Sequence, residues 1–161
     1  MGNLARTYSD LGNFKEAEEL EVKVLDMRKK VLGAEHPNAL LSMANLARKY
    51  SDLGNFKKAE ELEVQVLEMR KKLLGAEHPS TLRSMGNLAS TYSDLGNFKE
   101  AEELEVQVLE MRKKLLDAVH PDTILSMGNL AATYHNLGKK DQKGREASGS
   151  SVGDEKEATW C

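Results

Sequence analysis

Apolar residues recur at spacings of three and four through most of the chain, the pattern typical of amphipathic helices. In the segment PSTLRSMGNLASTYSDLG (residues 79–96) the apolar stripe consists of Leu82, Met85, Leu88, Ala89, Tyr92 and Leu95. In the following segment, NFKEAEELEVQVLEMRKKLL (residues 97–116), it consists of Phe98, Ala101, Leu104, Val108, Met111 and Leu115. The pattern therefore predicts a shorter helix followed by a longer one.

This pair of helical segments repeats with a period of 42 residues. Residues 1–42, 43–84 and 85–126 form three complete units, any two of which agree at 33 of 42 positions, and residues 127–138 begin a fourth. A fixed period between about 20 and 50 residues indicates stacked repeats rather than a globule around one central core. The sequence thus predicts an all-α solenoid over residues 1–138.

Proline and glycine residues in each unit set the predicted helix boundaries. Pro79 suits the first helical position, and Gly96 suits the position that follows the last turn. Applied to every unit, this gives about seven antiparallel helices: a truncated first helix at about 3–11, then three long–short pairs that end near Leu137. Counted as repeats, these are three full units followed by one unpaired helix. Residues 139–161 have no apolar periodicity and are rich in Gly, Ser and charge, so they are expected to form a disordered tail.

The units resemble tetratricopeptide repeats, in the 42-residue form found in kinesin light chains and in the repeat arrays of fungal receptor-like NTPases. The residues that carry the resemblance are Met85, Leu88, Ala89, Tyr92, Gly96, Phe98 and Ala101. The resemblance implies a right-handed solenoid whose first-type helices line a concave groove. One departure concerns the aromatic residue expected four positions after the Ala, because the units carry Glu21, Glu63 and Glu105 there.

Composition excludes several classes of function. The net charge is −3, so the chain lacks the overall positive charge typical of proteins that bind nucleic acid. No apolar run approaches the ~20 residues that span a bilayer, so no membrane partner is expected. The single cysteine, Cys161, leaves no partner for an internal disulfide. This fits a reducing compartment, and a cytoplasmic location is expected.

Catalysis and metal binding are not expected. Nearly every polar residue of the repeats occurs three times in the same role, whereas a catalytic site is normally one set of distinct residues. The histidines that precede the prolines, His36, His78 and His120, lie one repeat apart, too far for two of them to share one zinc ion. They are predicted to serve the turn instead. No cofactor is expected. The acidic EAEELE and basic RKK runs are interpreted mainly as solvated helix faces. The alternative is that their repetition forms an acidic edge and a basic edge that steer a charged partner.

The candidate binding residues lie on the predicted groove face of the first-type helices. In kinesin light chains and related superhelical repeats, an Asn at this position forms a ladder that holds the backbone of an extended peptide. The resemblance implies the same peptide-binding role for Asn3, Asn45, Asn87 and Asn129. Nearby cations that could pair with acidic side chains of a bound segment are Arg6, Arg48, Lys49 and Arg83. Gly2, Gly86 and Gly128, with Ala44, are predicted to leave the groove floor open.

Two functional hypotheses follow. The first is a non-catalytic interaction scaffold that holds an extended acidic or mixed peptide in the groove. The second is self-assembly, head-to-tail or by helix exchange, because no capping element is recognisable and the helix at about 121–137 has no second helix to cover it. The first helix also starts without the lead-in of the other units. The second hypothesis therefore includes a fragment of a larger signalling receptor.

Overall fold

In the computed structural model, described residues run from 14 to 149, and described side chains from 16 to 142. This part of the chain contains six helices and no strand. The helices are α1 (Phe14–Leu32), α2 (Pro37–Asp52), α3 (Phe56–Leu74), α4 (Pro79–Asp94), α5 (Phe98–Leu115) and α6 (Pro121–Gly149). The predicted all-α repeat architecture is confirmed, while the predicted first helix at about 3–11 lies outside the described residues.

The ends of the short helices follow from His, Pro and Gly. Helix α2 begins at Pro37 because the Nδ1 atom of His36 accepts a hydrogen bond of 3.1 Å from the backbone N–H of Asn38. It ends where Gly54 adopts a φ of 74° and the N–H of Asn55 reaches back to the carbonyl of Tyr50 at 2.7 Å. Such a bond across a left-handed glycine is a Schellman-type helix stop.

The chain divides into two compact units at Asn97. In the described part of the first unit, α2 packs against α1 and α3, and α4 packs against α3. The core cluster of this unit consists of Leu25, Leu40, Met43, Leu46, Tyr50, Ala59 and Val66. These residues come from the apolar stripes of α1, α2 and α3, so the period-3.6 pattern fixed which faces meet.

The second unit begins at Phe98, and within its described part α6 packs against α5. Ala101 and Val108 of α5 are buried, as are Thr123, Ser126 and Thr133 of α6. Ile124 and Met127 of α6 are instead 55% and 38% exposed. One face of α6 is therefore packed and polar, while an apolar face lies open.

The predicted end of this last helix was wrong. Helix α6 passes through Gly138 and continues to Gly149, eleven residues into the segment expected to be a disordered tail. Gly138 does not adopt the positive φ of Gly54 and Gly96, the glycines at the same repeat position. Residues 139–148 contain no proline and are mostly the good helix formers Lys, Gln, Arg, Glu and Ala, so the helix continues across Gly144. Residues 150–161 lie outside the described part of the chain.

An arginine bridges the loop that precedes each of α2, α4 and α6. Arg70 in α3 donates through Nη1 to Ser84 Oγ at 2.6 Å and to the backbone carbonyl of Ser80 at 3.1 Å. Arg112 makes the same contacts to Ser126 Oγ, 2.7 Å, and to the carbonyl of Asp122, 2.7 Å. Arg28 likewise donates to Ser42. The first residue of each RKK run thus closes the repeat junction, which corrects its interpretation as part of a solvated face.

Candidate functional site

The described asparagines of the predicted ladder occupy one position in three helices. Asn45 lies on α2, Asn87 on α4 and Asn129 on α6, and all three are exposed. Helices α2 and α4 are neighbours, since Ser51 Oγ and Thr91 Oγ1 approach to 3.4 Å. Asn3 lies outside the described residues. Exposed amides in this register can each donate and accept one hydrogen bond to an extended backbone.

Small residues stand beside these asparagines. A Cβ atom added to Gly86 or Gly128 would meet no other atom within 4 Å, so open space lies over both positions. Ala44, at the same repeat position in α2, is half-buried. Gly2 lies outside the described part of the chain. Another backbone can thus come close beside Asn87, and likewise beside Asn129.

The predicted cations differ in their availability. Arg48 and Arg83 are exposed on α2 and α4, and Arg6 lies outside the described residues. Lys49 forms an ion pair with Glu21 of α1, so its ammonium group already has a carboxylate partner within the chain. Among the described cations of the predicted site, the arginines are exposed, and Lys49 is set apart by its ion pair with Glu21.

Lys49 lies in the wall of a cleft of about 190 Å³ between α1 and α2. Its lining is Ala17, Glu18, Glu21, Leu46, Lys49, Tyr50, Asp52 and Leu53. Here Glu18 accepts hydrogen bonds of 2.9 Å from the Tyr50 hydroxyl and from Lys58 Nζ. These bonds, that from Lys58 first, lower the pKa of Glu18, while burial and the nearby carboxylate raise the pKa of Tyr50 to about 12. The cluster is a structural tie between α1, α2 and α3.

Glutamate stands where the family has an aromatic residue, at Glu21, Glu63 and Glu105, and the last two of these carboxylates are buried. Glu63 is 7% exposed and Glu105 is 6% exposed, and each has one side-chain oxygen, Oε2, without a hydrogen-bond partner in the described structure. Burial raises the pKa of both groups. Hydrogen bonds from Thr91 to Glu63 and from Thr133 to Glu105 oppose the rise, and Asp94 adds to it at Glu63. An ionised group in such surroundings is costly unless a cation or further donors reach it.

Glu63 belongs to a small recess that also includes a ladder residue. The recess is lined by Ala44, Glu63, Val66, Ser84 and Asn87, and it holds about 10 Å³, room for about one water-sized group. Sequence reasoning missed this site and treated the glutamate only as a departure from the family pattern. The available signal was its spacing, because Glu63 lies four residues from both Ala59 and Leu67, on the apolar stripe of its helix.

The histidines have the predicted turn role. The Nδ1 atoms of His36, His78 and His120 accept hydrogen bonds from the backbone N–H two residues later, at 3.1, 3.1 and 3.2 Å. Each thereby caps the helix that starts at the following proline. Among the residues that the structure describes, no group of three or more His, Cys, Asp or Glu side chains is arranged to hold a metal ion. Nor is any of the described helices long and apolar enough to cross a membrane.

Comparison with known proteins places these features in a family context. Two tetratricopeptide repeat profiles match the chain, one over residues 1–72 and the other over residues 81–122. No curated protein matches the sequence. The crystal structure of nearly identical TPR-like repeats from Podosopora anserina, described as a kinesin light chain, is 38% identical. That match covers 88% of this chain and 67% of the other, with a TM-score of 0.74.

A second solved structure, BtubC (BKLC) from P. vanneervenii, shares the fold at 20% identity and a TM-score of 0.73. That match covers 98% of this chain and 65% of the BtubC chain. The chain therefore spans about two thirds of the length of the two solved proteins, at 67% and 65%.

Proposed function

Because the chain belongs to the tetratricopeptide repeat family, whose repeats mediate protein–protein interaction, we propose that it is a non-catalytic scaffold that binds an extended peptide segment. The observation that carries this proposal is the exposure of an asparagine at the same repeat position on two neighbouring helices, Asn45 on α2 and Asn87 on α4. Asn129 is exposed at the equivalent position of α6. One amide per repeat suits a ligand whose backbone groups also recur regularly.

The character of the partner follows from the surface around the asparagines. Open space at Gly86 and Gly128 lets a peptide backbone come close. Exposed Arg48 and Arg83 offer bidentate partners for acidic side chains, so the bound segment is acidic or of mixed charge. No cofactor is required for this role. The lone cysteine of the sequence supports a reducing, cytoplasmic setting for the interaction.

Panning a library of unstructured peptides against the full chain tests the proposal. Selected peptides should lose about fivefold or more in affinity for the Asn45→Ala/Asn87→Ala variant, since each amide contributes about 0.5–1.5 kcal/mol of net hydrogen bonding. Gln65→Ala, at an exposed position of α3, is the matched control and should bind as the parent does. Equal affinity for the parent and the double variant would remove the ladder from the proposal.

A second candidate function is self-assembly, and the open face of α6 favours it. Met43 and Tyr50 of α2 are 0% and 6% exposed, whereas the equivalent Met127 and Tyr134 of α6 are 38% and 50% exposed. The residues that pack against α2 belong to long helices of the repeat, so a long helix from a second copy has the chemistry to cover α6. Such a contact is heterologous and extends head to tail.

Light scattering over a wide concentration range measures this association. If the α6 face associates, the molar mass should rise with concentration for the parent chain, and Ile124→Lys should hold it at the monomer value. Asn136→Lys, on the same helix outside the apolar face, serves as the control. A parent mass that stays constant at the monomer value throughout would eliminate self-assembly through α6.

A further inference from the structure

The Glu63 carboxylate, beside the exposed Asn87, is incompletely hydrogen-bonded. Its side chain is buried on α3, one oxygen receives the Thr91 hydroxyl, and Oε2 has no donor within reach among the described residues. Asp94 adds further negative charge from α4. A buried carboxylate without compensating donors is unfavourable, so a ligand that supplies a donor at Oε2 gains binding energy there.

The chain itself shows which group completes this position. In the preceding repeat the equivalent carboxylate, Glu21, is paired with the ammonium group of Lys49. The residue equivalent to Lys49 is Thr91 in the next repeat, so the cation is missing opposite Glu63 while the carboxylate is retained. Threonine occupies this position at Thr91 and Thr133, and Lys49 is the exception, so Glu63 and Glu105 are retained without the cation that Glu21 has.

The recess beside Glu63 favours a compact cation over a planar one. Its volume of about 10 Å³ admits one non-hydrogen atom or a water molecule, which fits an ammonium nitrogen and is too small for a guanidinium. Arg70 and Ser80 already engage the Ser84 hydroxyl, so Glu63 and Asn87 remain as the acceptors that face an incoming donor. Asn87 is also the residue proposed to hold the peptide backbone.

We propose that the recess formed by Glu63 and Asn87 is a subsite for a lysine side chain of the bound peptide, whose ammonium group donates to the Glu63 carboxylate. The inference rests on the proposed peptide-binding function and adds a specificity to it. A segment with lysine at this subsite and acidic residues near Arg48 and Arg83 is the mixed-charge ligand that the groove fits. Glu105 shares the burial and the unpartnered oxygen, but the proposal is confined to the recess at Glu63.

Peptides selected on the full chain supply the probe, each synthesised with lysine, with norleucine and with glutamate at every position in turn. At one position lysine should bind the parent chain about tenfold or more tighter than norleucine, as expected for a charge-assisted hydrogen bond at a desolvated carboxylate. Glu63→Gln should abolish this preference while norleucine peptides keep their affinity. Glu61→Gln, an exposed glutamate on the same helix, should leave the preference intact.

The outcomes separate the two proposals. Loss of affinity for all peptides in Asn45→Ala with an unchanged lysine preference supports both the ladder and the subsite. Peptides that depend on Asn45 and Asn87 but show no lysine preference, or keep one in Glu63→Gln, would overturn the subsite and leave the scaffold standing. Affinity that is unchanged in the Asn45→Ala/Asn87→Ala variant would overturn the ladder, and with it the subsite, which includes Asn87. Because glutamine has the shape of glutamate and removes a buried charge, Glu63→Gln is expected to fold.

Discussion

Helices α2 and α6 are built from the same repeat but have different surroundings. Helix α2 packs against α1 and α3, and its residues Leu40, Met43 and Ala47 are at most 5% exposed. Helix α6 packs against α5, and its equivalent residues Ile124, Met127 and Ala131 are exposed. The polar contacts that each helix makes with the preceding helix are nevertheless alike, since Arg28 bonds to Ser42 and Arg112 to Ser126.

The difference separates two kinds of contact in a repeat. Contacts to the preceding helix involve the Arg–Ser bridge and the carboxylate position, and both helices have them. Burial of the apolar face of α2 also depends on α3, the helix that follows it. The same apolar residue is therefore core in α2 and surface in α6, because neighbours rather than residue type decide its burial.

The largest expected effect contrasts the two methionines. Met43→Ala should lower the free energy of unfolding by about 2–5 kcal/mol, since it removes a side chain that is 0% exposed and leaves a cavity. Met127→Ala should lower it by less than about 1 kcal/mol, because that side chain is already 38% exposed. Urea unfolding followed by circular dichroism measures both. Equal losses would show that a contact buries Met127 in solution.

The carboxylate position gives the next effect, with opposite signs at the two helices. Glu105→Leu should raise the free energy of unfolding by about 1–3 kcal/mol, because an incompletely bonded buried carboxylate becomes apolar. Glu21→Leu should lower it by about 0.5–1 kcal/mol, because Lys49 loses its partner. Urea unfolding at neutral pH tests both variants. The same sign for both would contradict the assigned environments.

A pH series sharpens the same contrast. The folded-state pKa of Glu105 lies above its ordinary value of 4.5. At a pH between these two pKa values, the folded chain holds a proton that the unfolded chain lacks. The parent should therefore gain stability relative to Glu105→Gln as pH falls, with the full gain below about 4.5 and none above the folded-state pKa. Urea midpoints of both chains across acidic to neutral pH measure the difference. A pH-independent difference would contradict the raised pKa.

The smallest effect concerns a polar contact that α2 receives from α3. Lys58 Nζ lies 2.9 Å from Glu18 and 4.9 Å from the centre of the Tyr50 ring. Lys58→Gln should lower the free energy of unfolding by about 0.2–1 kcal/mol, and high salt should reduce that loss. Lys57→Gln, whose ion pair with Glu60 is longer at 3.5 Å, is the control and should change little. A larger loss in the control would contradict the contact.

Helix positions were predictable because three local signals agree in every unit. The 3.6-residue periodicity gives the faces, the His-Pro pairs give the starts, and Gly54 and Gly96 give the stops. The predicted end of α6 was wrong because Gly138 was interpreted by analogy with these glycines. In the first unit the chain folds back after the glycine at Phe56, whereas no Asn-Phe pair follows Gly138, and the helix continues.

The candidate site was only partly predictable. Exposure of Asn45, Asn87 and Asn129 agrees with the helical register read from the sequence. The burial of Glu63 and the role of Arg70 were missed, because charge suggests solvent exposure unless the packing partner is known. Which cation faces which carboxylate depends on contacts between residues 28 positions apart, as in Glu21 and Lys49, and spacing along the chain does not reveal such a pair.

The arginine bridge at each junction also bears on how such a sequence changes over generations. Arg70 reaches across the loop to Ser84 and the carbonyl of Ser80, and every residue it needs lies within one 42-residue period. Recombination between two units that gains or loses a whole period therefore regenerates an intact junction. Unequal exchange can therefore increase or decrease the number of units. Each new junction between units is stabilised by the same arginine hydrogen bonds as the old one.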